Sequence, residues 1–191
     1  MPGALNRRRA PVLLLLAVLT LVATMAPAAA QGAPWLLVDT RKAVLSVIRD
    51  GRVEARFPGI AIGRGGVARL RLRDDNATPL GTFHIAWIND HSVFHRFFGF
   101  NYPTPPYVWR AFDHNLIGPE TVRRILWAVH HHRLPPQDTP LGGDLGIHGL
   151  GHGDPWVHRR INWTGGCIAL TNAQIDRLAR WVRIGTKVVV R

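Results

Sequence analysis

The segment 35–63, WLLVDTRKAVLSVIRDGRVEARFPGIAIG, constrains the fold more than any other part of the chain. Apolar and polar residues alternate along it, the two-residue period of a strand with one face in a core. Asp50-Gly51 lies between two such runs, and an Asp-Gly pair in that setting is the signal of a two-residue hairpin. Strands are expected over Trp35–Asp39, Ala43–Arg49 and Val53–Ile62. Two further short strands are read in ARLRL and GTFHIAWI, separated by a polar loop over 74–79. From Asn89 to Asn115 the chain is rich in aromatics, Gly and Pro, and this stretch reads as a long, shaped loop.

Helical signals are fewer. GPETVRRILWAVHHH places Pro119 in a first turn, Glu120 at the positive end of the helix dipole and His130, His131 and His132 at the other end. In TNAQIDRLARWV, Thr171 and Gln174 have capping-box spacing, and Ile175, Leu178, Ala179 and Val182 share an apolar face. Between the helices, LGIHG reads as a short buried strand ending at His148, and TKVVV closes the chain as another. The expected fold is mainly β, with two helices and long loops, in one domain without internal repeats or linkers.

The N-terminus carries an address. Arg7, Arg8 and Arg9 precede an apolar run from Val12 to Met25, and Ala28-Ala29-Ala30 supplies the small residues of a cleavage site. Residues 1–30 are therefore read as a signal peptide and 31–191 as the mature domain. The apolar run is shorter than the ~20 residues of a spanning helix, and no other segment is long enough, so no membrane span is expected after cleavage. The expected location is the periplasm or cell envelope. A formal net charge of +12, three of whose arginines lie in the leader, suggests an anionic partner there. Cell-wall polymer or an anionic membrane surface fits. Nucleic acid does not, since no basic helix interleaved with aromatics is present.

An exported domain normally pairs its cysteines, yet Cys167 is the only one. It stands in INWTGGCIALTN, behind a polar, Gly-rich stretch that argues against simple burial. A thiol attacks a carbonyl as thiolate, which requires a base and a positive setting. His148, ending a strand in a Gly-flanked turn, is the candidate base. Gly165 and Gly166 permit positive φ, so three consecutive N–H groups ending at Cys167 could form a nest for an oxyanion, with Thr164 holding the loop.

These segments resemble the L,D-transpeptidase catalytic domain, or YkuD-type domain. The family motif is a His, about seventeen residues, then Ser/Thr-His-Gly-Cys. Here His148 is followed by fifteen residues and then Thr164-Gly165-Gly166-Cys167. A second family block, Thr-Pro-x-Gly-x-Phe/Tyr-x-Ile, appears as TPLGTFHI, and the WTxGCIAL version with NYPTP resembles one branch in particular. The resemblance runs in order over essentially all of the mature chain. It implies a β-sandwich-like domain acting on peptidoglycan stem peptides without a cofactor. Cys167 would release D-alanine from a tetrapeptide stem as nucleophile, His148 would move the protons, and the Gly149 carbonyl would hold the His148 ring. His152 and Tyr102 are candidate substrate contacts.

Two positions depart from the family pattern: Gly165 replaces the motif His, and Ala169 the Arg common two residues after the cysteine. Both losses bear on which acceptor is used. A hydrolase with the same site, acting as an L,D-carboxypeptidase or cleaving wall–protein cross-links, is one alternative. A non-catalytic wall-binding module is the other. No metal is expected: His152, Asp154 and His158 lie near His148 in sequence, but a zinc peptidase needs a Glu as base, and only Glu54 and Glu120 exist.

Overall fold

The computed structural model describes residues 32–191; the expected leader lies outside the described residues. The chain opens with β1 (Trp35–Asp39), β2 (Val44–Arg49) and β3 (Arg52–Pro58), antiparallel and in sequence order. Asp50 and Gly51 both take positive φ, 49° and 74°, the geometry of the turn that matches the twist of paired strands. β3 is shorter than expected. After Pro58 the N–H groups of Gly59 and Ile60 both return to the Ala43 carbonyl, and the chain crosses to the far end of the sheet.

Two short strands follow, β4 (Val67–Ala68) and β5 (Thr78–Pro79), paired in parallel with each other. Most of the expected ARLRL strand is therefore loop. β6 (Gly81–Ser92) is the long strand of the fold: its first residues pair with the C-terminal strand β10 (Lys187–Val190), and the rest pair with β7 (His95–Phe100). Then come β8 (Gly146–His148) and β9 (Ile168–Ala169). The strand order is β3-β2-β1-β10-β6-β7-β8-β9, with β1·β10 and β8·β9 parallel and the other pairs antiparallel. Ala61 bridges to Ala169 through bonds of 3.0 and 2.8 Å, so the segment leaving β3 reaches the opposite edge of the order.

The expected long loop over 89–115 contains regular structure. HRFFGF forms β7 because it lies between β6 and β8, where Phe97, Phe98, Gly99 and Phe100 are all buried; a strand buried on both faces loses its alternation. Helix α1 (Pro105–Asp113) starts on two prolines, placed where a helix has no use for the missing N–H groups. Helix α2 (Pro119–His130) was expected, as was α4 (Asn172–Leu178), where Thr171 and Gln174 form a complete capping box. A single turn, α3 (Pro155–His158), is capped by Asp154. The described residues are thus mostly β with four helices, and the two unexpected ones each begin on a proline, a residue that also signals loops. Ile147 and Ile168, paired across β8 and β9, are fully buried, each worth about 2 kcal/mol of apolar burial. They anchor the two shortest strands of the large sheet, and those strands carry the site.

Candidate active site

His148 ends β8 with its backbone paired on both sides, to Phe97 of β7 and Ala169 of β9. Cys167 immediately precedes β9, so parallel pairing of two adjacent strands delivers both residues to one place. Both line a cleft of about 350 Å³ with Trp87, Asn89, Ser92, Phe94, Phe97, Asp144, Trp163, Thr164 and Gly165.

The imidazole is 2 % exposed and surrounded by rings. Phe94 lies 4.3 Å away centroid to centroid, Phe97 stacks at 5.7 Å, and Trp163 meets it edge-on at 5.8 Å. Its Nδ1 is 2.6 Å from the Gly149 carbonyl oxygen. A carbonyl only accepts, so Nδ1 carries the proton in the neutral ring, and Nε2 is left as the basic atom. Burial pushes the His148 pKa down from 6.5 to about 4, against the upward pull of the Gly149 bond.

A buried imidazole kept neutral makes stability depend on acid. Between pH 6.5 and about 4 the unfolded chain holds a proton on His148 that the folded chain does not, so stability falls as pH drops through that window. The expected loss is about 3 kcal/mol. Urea unfolding at pH 7 and pH 4 checks it: His148→Gln should lose about 3 kcal/mol less than the wild type over the same range, and an equal loss in both would refute the assignment.

Cys167 is half-buried and its Sγ donates to the Asp144 carbonyl at 3.5 Å. Burial pushes the thiol pKa up from 9.0 to about 11, although a Gly146 backbone hydrogen bond and the Arg71 charge oppose the shift. The resting pair is therefore neutral thiol and neutral imidazole. Desolvation outweighs the nearby positive charge. Accordingly, iodoacetamide should alkylate Cys167 more slowly than a free thiol at pH 7, with the rate climbing toward pH 11. Fast alkylation at pH 7 would contradict it.

The Gly-rich loop is held from within. Thr164, 3 % exposed, donates its hydroxyl to the Cys167 carbonyl at 2.7 Å and accepts from the Gly166 N–H at 3.2 Å. That bond takes one of the three N–H groups considered for the nest, leaving those of Gly165 and Cys167. Gly166 has φ 126°, whereas Gly165 does not take positive φ.

The two candidate substrate contacts are not in the cleft. Tyr102 is fully buried, its hydroxyl donating to the Leu141 carbonyl at 3.1 Å, and its ring packs with Phe83 and Tyr107 in the core. His152 is exposed in a turn and is not among the cleft's lining residues. Sequence reading missed Asp144, Trp163 and the Trp87–Phe97 stack at 4.8 Å. Trp163 had a visible signal in its position just before the Thr-Gly-Gly-Cys run; Asp144 had none, because its role begins with a backbone carbonyl. Trp163 Nε1 donates to Nδ1 of buried His158 at 3.3 Å, which fixes the indole against His148.

A mostly β domain that presents one thiol and one buried imidazole to a common cleft defines the class of this protein. Its sequence matches the model of the YkuD L,D-transpeptidase catalytic domain over residues 33–190, and the chain belongs to that family. No curated protein matches the sequence. Among solved structures, the fold is similar to the helical cell shape determining protein Pgp2 from Campylobacter jejuni, with TM-score 0.54, 20 % identity, and coverage of 83 % of this chain and 47 % of that one. It is also similar to Bd1075 from Bdellovibrio bacteriovorus, with TM-score 0.50, 18 % identity, and coverage of 86 % and 49 %. The chain thus spans about half the length of these relatives. Among the described residues no helix is long and apolar enough to cross a membrane.

Proposed function

We propose that this protein is an exported peptidoglycan L,D-transpeptidase that acts on tetrapeptide stems through an acyl-enzyme on Cys167. The observation that carries the reading is the delivery of His148 and Cys167 by adjacent parallel strands to one cleft, with Nδ1 committed to the Gly149 carbonyl. Nε2 is then the atom that takes the thiol proton as Sγ attacks the stem's penultimate carbonyl. The new S–C bond displaces D-alanine, whose amine leaves with that proton, and a second stem's amine resolves the thioester by forming an amide as the C–S bond breaks. Because the resting pair is neutral, the thiolate forms only as substrate is attacked. The N–H groups of Gly165 and Cys167 are the candidates for holding the developing oxyanion.

Mass spectrometry of the mature protein with disaccharide-tetrapeptide, with and without a diamino-acid acceptor stem, tests the reading. A dimer lacking one D-alanine is the expected product. Tripeptide without dimer would replace the proposal with a hydrolase on the same site, and unchanged substrate would replace it with a wall-binding module.

A further inference from the structure

A cavity of about 810 Å³ lies away from Cys167 and shares no lining residue with its cleft. It opens where β1 and β10 end and β6 begins, three neighbouring strands of the sheet. The Cys167 cleft uses the other half of β6, from Trp87 onward, so about 20 Å of strand separates the two. The walls of the cavity are tied to one another. Tyr107 of α1, 3 % exposed, donates its hydroxyl to the Leu80 carbonyl at 2.7 Å, and Arg110 Nη1 donates to the Arg69 carbonyl at 2.7 Å. Thr40 closes on the Arg191 carbonyl through its N–H and its hydroxyl, at 2.9 and 2.8 Å.

Charge in this cavity is one-sided. Arg41, Lys42, Arg69, Arg110 and Arg191 line it, and Asp39 is the only side-chain carboxylate in its walls. Asp39 is already committed, to Arg191 Nη2 at 3.6 Å and to the Lys42 N–H at 3.1 Å. Among the described residues no carboxylate pairs with Arg41, Lys42, Arg69 or Arg110. Four such cations around one cavity repel one another, and an anion between them removes that cost. The same cavity is lined by apolar Val67, Leu80, Pro106 and Val190, with Val67 43 % exposed. Beside Arg110 on α1, Trp109 and Phe112 are 49 % and 39 % exposed and meet edge-on at 6.5 Å. The only acid of this helix is Asp113, its last residue.

We infer that this cavity seats the phosphate of an anionic phospholipid and holds the domain against a membrane surface. Arg41, Lys42, Arg69 and Arg110 take the phosphate diester, and Val67 and Leu80 meet the glycerol and the first acyl carbons. Trp109 and Phe112 enter the interfacial layer, where aromatic rings settle and basic clusters meet anionic headgroups. Free phosphate would answer the cations alone. A glycan strand or stem peptide is polar along its length and would leave Val67, Trp109 and Phe112 uncovered. A phospholipid matches the charge and the apolar surface together. The contact is peripheral and independent of Cys167 chemistry, so it goes beyond the transpeptidase reading. Docked by this end of β6, the domain carries the Cys167 cleft at the other end, away from the bilayer.

Flotation of the mature protein with vesicles tests the assignment, using phosphatidylcholine alone and an equimolar mixture of phosphatidylcholine and phosphatidylglycerol. Binding is expected to the mixture and not to phosphatidylcholine; no binding to the mixture, or equal binding to both, overturns the proposal. A basic protein also adheres to anionic surfaces through its charge at large, and charge-matched variants separate that case. Each basic residue at such a surface is worth about fivefold in affinity, so Arg41→Gln with Lys42→Gln should weaken binding by about 25-fold. Arg180→Gln with Arg183→Gln removes the same charge beyond the opposite end of β10 and should leave binding within about twofold of wild type. Equal losses in the two double variants overturn the cavity as the site. Trp109→Ser keeps every charge and should still weaken binding; unchanged binding would remove the bilayer as the partner. Inorganic phosphate, followed through the amide resonances of Arg41, Lys42 and Arg110, and retention on purified peptidoglycan complete the test. Saturation by phosphate, or retention on peptidoglycan, in a protein that ignores the mixed vesicles overturns the phospholipid in favour of that ligand.

Discussion

Cys167→Ala should abolish D-alanine release from tetrapeptide stems, and His148→Gln should lower kcat/KM by about 10³-fold or more, both without loss of fold. The alanine removes the only atom in the cleft able to form a thioester, and a lost nucleophile typically leaves only background rates. His148→Gln keeps a side chain in the aromatic cage but removes the basic nitrogen. With the thiol pKa near 11, the cysteine cannot ionise unaided at neutral pH, so it depends fully on its base. General base catalysis alone is worth about 10²–10⁴-fold, and the raised thiol pKa puts the loss toward the upper part of that range. The pH profile adds a second signature, since His148 is active only as the neutral ring. The acid limb of kcat/KM should therefore fall near pH 4, well below that of an unperturbed imidazole. Liquid chromatography of the muropeptide products with circular dichroism of each variant checks all three statements. Turnover retained by either variant would remove the acyl-enzyme mechanism.

How much of this was legible in the sequence depends on the range of the interactions. The first hairpin was legible because alternation and the Asp50-Gly51 turn are local signals, and the Thr171–Gln174 capping box was legible for the same reason. HRFFGF was not, because its four consecutive buried residues follow from neighbours on both sides, β6 and β8, and no local period survives that. Cys167 and His148 stood out by residue type and flanking glycines. Their meeting depends on the parallel pairing of β8 with β9, two strands of three and two residues separated by a long connection. Tyr102 shows the opposite failure. An aromatic in a Pro-rich stretch can pack in the core or face a substrate, and the fold turns this ring inward and spends its hydroxyl on Leu141. The sign of the Cys167 shift was also hidden, since it depends on how far the surrounding rings and chain exclude water, and composition near the cysteine does not reveal that.

The paired glycines before the nucleophile should respond very differently to a single methyl group. Gly166 has φ 126°, where side chains are rarely found, and an added Cβ would lie 2.7 Å from the Ala77 carbonyl oxygen and 3.1 Å from Leu145 Cδ2. Ala77 cannot readily retreat, because its own N–H is held by Asp75 Oδ1 at 2.9 Å. Gly166→Ala should therefore cost about 2–3 kcal/mol from backbone strain alone, with the clash in addition. The displacement passes directly to the next residue, and a misplacement of about 1 Å at a reacting atom costs about 10²-fold in rate. At Gly165 the nearest atom to an added Cβ is Asn76 Oδ1 at 3.7 Å, and the backbone is not left-handed, so Gly165→Ala should stay within about 0.5 kcal/mol of wild type. Urea unfolding and turnover of both variants make the comparison. If Gly165→Ala is as damaging as Gly166→Ala, the loop is not held as the Thr164 bonds hold it here; if only Gly166→Ala fails, the second glycine sets the nucleophile's position. In the second case the place of the family's motif histidine is also open to a side chain, so nothing in the local packing required its loss.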